Sequence, residues 1–102
     1  MTDSLSPIDP RLERWAAIHN LKVIAGMETR SIYTGSGHDC CQIWLAGPLD
    51  DPITVHASDV ESLLDDAELA FEVSVGVAAL ETGLEAALRQ IQLWFARASA
   101  QA

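Results

Sequence analysis

Between Arg30 and Arg89 the chain contains no lysine or arginine. That 58-residue stretch carries eleven Asp and Glu, while residues 1–30 balance four acids against four bases and residues 89–102 hold only Arg89 and Arg97. Over all 102 residues the formal net charge is -9. A surface this short of cations repels phosphate backbones and anionic lipid, which argues against nucleic acid or a charged membrane as a direct partner. Two uses of the acids stay open. They keep the protein soluble, or they meet a basic protein surface and speed the encounter with it.

Cysteine is also scarce. Cys40 and Cys41 are sequence neighbours, which is no disulfide framework, so two thiols are expected. Long apolar runs are missing: the longest aliphatic one, "VGVAAL", is far too short to span a bilayer. The start, "MTDSLSPIDPRLERW", lacks the basic residues followed by an apolar run that mark a secretory signal. There is no phosphate loop, G-x-S-x-G, H-E-x-x-H or dinucleotide fingerprint. The expectation is a soluble, cytoplasmic protein with one domain over residues 9–98, a flexible leader at 1–8 and a frayed tail at 99–102. Apolar residues make up 49% of the chain, enough for one modest core.

The pattern of what is present outlines the fold. Asp9-Pro10 has the chemistry of a helix start, with Asp as cap and Pro at the first turn. Leu12, Trp15, Ala16 and His19 follow at helical spacing, and Asn20 suits a left-handed stop. "LKVIAG", "TRSIYT", "CCQIWLA" and "ITVHA" then read as strands of an antiparallel meander, with Gly26, "GSGHD", Gly47-Pro48 and "LDDP" as turns. Ser58 to Glu61 is a capping box, so a short middle helix is expected, with Val60, Leu63 and Leu64 as its apolar side. "LAFEVSV" alternates as a strand with one wet face, although a helix is also open there. Val77, Leu80, Leu84, Leu88, Ile91 and Phe95 recur every three or four residues, defining a long amphipathic helix with Gly83 inside it. The fold class is therefore α+β: an antiparallel sheet of about four strands with an N-terminal, a middle and a C-terminal helix packed on one face.

The stretch "YTGSGHDCCQIWLAGP" carries Ser36, His38, Asp39, Cys40 and Cys41 close together. A thiol nucleophile needs a cation or helix N-terminus to lower its pKa, and the acidic surroundings work the other way. His38, Cys40, Cys41 and His56 could supply zinc ligands, but adjacent cysteines on a strand point to opposite faces. Asp50-Asp51 and Asp65-Asp66 could pair for magnesium, yet Asp is a common turn residue. The better reading is a glycine turn feeding a strand, with one thiol in the core. No catalytic residue, metal or cofactor is assigned.

The site expectation rests on charge and on one helix face. Asp50, Asp51, Asp65, Asp66, Glu68 and Glu72 are the candidate contacts to a basic protein partner. On the last helix, Leu93, Trp94, Ala86 and Gln90 are the candidate seam of a homodimer, since small residues beside a Leu and a Trp permit close approach. In size and acidity the chain is similar to immunity proteins and phage inhibitors of bacterial defence, which implies a non-enzymatic inhibitor. The element order also resembles the small acidic chaperones of the type III secretion system, which implies a dimer that binds an unfolded effector segment. A metal or thiol protein using His38–Cys41 is the third possibility.

Overall fold

A computed structural model describes residues 4–36, 39–59 and 69–101. After a 3-10 turn at Ser6–Ile8 the chain forms α1 (Asp9–Ile18), then β1 (Val23–Gly26), β2 (Thr29–Ser36), β3 (Asp39–Ala46), β4 (Ile53–Asp59) and β5 (Ala70–Val75). A second 3-10 turn, Val77–Ala79, leads into α2 (Leu80–Gln101). The sheet has five strands in the order β1-β2-β3-β4-β5, every neighbour antiparallel. The α+β class thus holds, with five strands where about four were expected. Ser58 and Asp59, expected to cap a middle helix, are instead the end of β4, where the ladder pairs Ser58 with Gln42 and Ala70; Val60, Leu63 and Leu64 lie outside the described residues. Four strands precede that segment and β5 follows it.

One face of the sheet makes the core. Ile32, Cys41, Ile43, Leu45, Ile53, Val55 and Ala57 point to it and are fully or almost fully buried. Each large aliphatic side chain taken from water there contributes about 1.5–3 kcal/mol. α2 supplies Leu80, Leu84, Ala87, Leu88, Ile91 and Trp94, and α1 supplies Leu12, Trp15 and Ala16. "AFEVSV" is a strand: Phe71, Val73 and Val75 are half-buried and Ala70, Glu72 and Ser74 are exposed. An amphipathic helix would not place residues two apart on one side, and here the period of two prevails. The stretch read as a leader contributes Leu5 and Ile8 to the core, and Ser4 donates its amide to Glu28 Oε1 at 2.7 Å.

Asp9 departs from its expected role. It sits within α1, which has no side-chain cap, and its carboxylate instead accepts from Arg30 of β2 at 2.6 and 3.0 Å. An available guanidinium on the sheet outcompetes the amides of its own helix, because a charge-assisted two-pronged bond is stronger than a single cap bond. Asn20 does take the left-handed conformation, at φ 60°, just past the helix end. In the β1–β2 hairpin the left-handed residue is Glu28, at φ 57°, and not Gly26.

Gly83 explains how α2 lies so near the strands. It is buried, and a Cβ there would stand 2.9 Å from Val75 Cγ2 and 3.1 Å from Val55 Cγ2. The helix accepts the propensity cost of glycine, about 1 kcal/mol, in return for that close approach.

Candidate functional site

Both described helices cover one side of the sheet, so by the alternation of each strand no described helix lies over the other side. The register fixes which residues share it. Ile24 of β1 is opposite Ser31, Ser31 opposite Trp44, Trp44 opposite His56, and His56 opposite Glu72. Tyr33 stands on the same face, two residues from Ser31, and is 41% exposed, while Ile24 is 55% exposed. Trp44 and His56 stack flat, ring centroids 3.8 Å apart and planes 7° from parallel. His56 Nδ1 lies 3.6 Å from Glu72 Oε2, whose side chain is largely in solvent. A recess of about 180 Å³ opens beside them, bounded also by Ser58 and Ala70. Around the row the side chains are neutral and polar: Gln42 donates to Ser58 Oγ at 3.5 Å, and the Thr54 and Ser74 hydroxyls are 3.0 Å apart.

The charge of this face is one-sided. Within the five strands Arg30 is the only Lys or Arg, and it is buried on the helix side. The open face presents Glu72 and, next to it, an aromatic pair. An indole and a carboxylate set one strand apart on either side of an imidazole are the groups that receive a guanidinium or ammonium, by ring attraction and by a charge-assisted hydrogen bond.

Other acids of the acidic stretch are engaged inside the molecule. Arg11 donates to Glu81 at 2.9 and 2.5 Å and to the Val77 and Ala78 carbonyls at 2.9 and 3.3 Å. Its hydrogen bond holds the Glu81 carboxyl below the usual range. Trp15 Nε1 and His19 Nε2 both lie 2.8 Å from Glu85 Oε1, and the Trp15 bond first, then that of His19, lowers the Glu85 pKa. Arg11, Trp15 and His19 recur every fourth residue, so one edge of α1 meets the i, i+4 pair Glu81 and Glu85 of α2. The stretch without Lys or Arg thus takes one cation, Arg11, from the N-terminal helix.

The expected contact residues do not form one cluster among the described residues. Asp51 Oδ1 accepts the Val77 amide at 3.1 Å, at the start of the turn into α2. Asp50 is exposed beside it in the β3–β4 connection. Glu72 is on the open face. Asp65, Asp66 and Glu68 lie outside the described residues. Of the expected seam, Leu93 is 55% exposed and Ala86 and Gln90 are half-buried, but Trp94 is 5% exposed and belongs to the core of its own chain. On a 3.6-residue repeat it falls nearer the Leu84–Ile91 stripe than the Leu93 side, and the indole follows the larger apolar surface. Cys41 is fully buried, which removes it from any thiol chemistry at the surface. His38 and the Cys40 side chain lie outside the described residues. Among the described residues no three of His, Cys, Asp and Glu group as metal ligands, and no helix is long and apolar enough to cross a membrane.

Sequence reasoning missed Trp44 and His56 as a pair. Both were on strands of the right parity, but which β3 residue opposes which β4 residue depends on the length of the connection between them. Comparison with known protein families, curated proteins and solved structures returned no match.

Proposed function

We propose that this protein is a non-enzymatic binding module whose open sheet face receives a basic segment of another protein. The observation that carries it is the Trp44–His56–Glu72 row on a face whose strands present no lysine or arginine. The paired strands supply the platform. Trp44 offers contact area at low entropic cost, and Glu72 offers the charge. The net charge of -9 draws the basic partner in before contact, so association is fast and salt-sensitive. Asp50, exposed at the edge of the molecule, adds to that field, as do Asp65, Asp66 and Glu68 by their charge. A toxin or defence protein with a nucleic-acid-binding surface is a partner of the required chemistry, because such a surface is cationic.

Trp44 also supplies the test. Trp15 and Trp94 are buried and Trp44 is partly exposed, so a ligand on the open face perturbs its fluorescence selectively. The purified protein is titrated with equal-length arginine-rich, lysine-rich, neutral and acidic peptides. The arginine-rich and lysine-rich peptides should shift the emission, with an affinity that falls as salt rises and falls again in Glu72→Gln. Equal responses to the basic and acidic peptides, or none to either, would remove the reading.

A further inference from the structure

β5 is the last strand of the sheet, and among the described residues it pairs only with β4. Edge strands of soluble proteins are commonly blunted by lysine, proline or a bulge, because unpaired amides and carbonyls recruit another strand. "AFEVSV" has no lysine or proline and pairs with β4 continuously from Ala70 to Val75. Beside it, an open groove of about 410 Å³ runs between Phe71 and the α2 residues Glu85, Ala86, Arg89, Gln90 and Leu93. The edge and the groove share Phe71, so they are one surface.

We propose that a second copy of this chain occupies that surface, pairing β5 with β5 antiparallel about a two-fold axis. Charge selects the partner. Beyond residue 30 the only cations are Arg89 and Arg97, both on α2. Two chains of net charge -9 repel over most of their surfaces and can meet where each carries those cations. α2 packs against β4 and β5, so a continuous sheet places the copy's α2 alongside, running the opposite way. The groove's Arg89 then faces Glu85 of the copy, twice by symmetry, and Leu93, 55% exposed in the single chain, is covered.

Charge also selects the register. Residues directly opposite must share a face, so the central antiparallel registers put either Glu72 or Val73 on the axis. The first sets Glu72 against Glu72 of the copy, which is repulsive. The second sets Val73 against Val73 and Phe71 against Val75 on the helix side, and Glu72 against Ser74 on the open side. The second register is the one the surface favours. It joins two open faces into one continuous platform.

The test exploits Ser74, which is exposed and outside the core. Sedimentation equilibrium on the full chain should show a concentration-dependent dimer. Ser74→Glu places a carboxylate opposite Glu72 twice and should weaken the dimer about tenfold, and Ser74→Lys should tighten it about fivefold. The double variant Glu72→Lys/Ser74→Glu places opposite charges across the seam and should tighten the dimer as Ser74→Lys does. Circular dichroism checks that each variant keeps its fold. A monomer mass at every concentration up to about 1 mM would overturn the proposal. So would a dimer indifferent to the sign of charge at position 74.

Discussion

Arg30 and Asp9 form a two-pronged ion pair between β2 and the first turn of α1, with the guanidinium almost wholly buried. The Gly26 and Thr29 carbonyls accept from its Nη1 at 2.9 and 2.7 Å. The pair fixes the N-terminal helix against the sheet, and that helix with its C-cap His19 in turn supplies the hydrogen-bond partners of Glu81 and Glu85.

Removing one partner should cost more than removing both. Asp9→Ala leaves a buried cation short of its counter-charge, and a loss of about 3 kcal/mol is expected from urea unfolding. Asp9→Ala with Arg30→Met should recover a large part of it. If the double variant is as unstable as the sum of the singles, the pair is not coupled as the geometry requires.

At Gly83 two effects oppose. Alanine gains about 1 kcal/mol of helix propensity, while its Cβ at 2.9 and 3.1 Å from two stiff valines costs about 1–3 kcal/mol of overpacking. Gly83→Ala should therefore be neutral to destabilising, although a surface helix position would gain. In a Val75→Ala background the same change should turn stabilising. Thermal unfolding of the four proteins of the cycle decides it.

Acid should weaken the α1–α2 contact. The Glu81 and Glu85 carboxyls are held below their ordinary range, by Arg11 and by Trp15 with His19. A carboxyl with a lowered folded pKa adds stability that is fully present above the unfolded value, about 4.3, and is lost as pH falls through the folded one. Melting temperature should hold from neutral pH to about 5 and drop below about 4.3, more shallowly in Glu81→Gln and Glu85→Gln. Both carboxylates are substantially exposed, so salt should reduce the difference. An unchanged slope in both variants would assign the acid loss elsewhere.

The open face should be separable from the fold. Trp44→Ala and His56→Ala each remove one ring of the stack and should cost about 1 kcal/mol of stability. Glu72→Lys should cost less than that, since its side chain is 73% exposed. Binding of an arginine-rich peptide, followed by calorimetry, should fall in all three. A variant that binds as before while its fold is intact would take that residue out of the site.

The legible part of this protein was periodic. Leu80, Leu84, Leu88 and Ile91 declared α2, and the alternation of Phe71, Val73 and Val75 pointed to β5 while a helix stayed open there. Partnerships across the chain were less readable. Asp9 looked like a cap because local chemistry favours it, and it lost that role to a guanidinium 21 residues away. Trp94 looked like a seam residue because it borders Leu93, and burial drew it inward. The Trp44–His56 stack needed the β3–β4 register, which residue order does not show.

By itself the sequence determined the α+β class, the two end helices and the balance of charge, since these follow from residue chemistry and spacing along the chain. Only the tertiary structure decided which acids are exposed. It turned Glu81 and Glu85 toward the N-terminal helix and left Glu72 beside Trp44 and His56 on the uncovered face. The reason is geometric: hydrophobic burial sets each helix and strand by its apolar side, and the charges must accept whatever neighbours that packing brings.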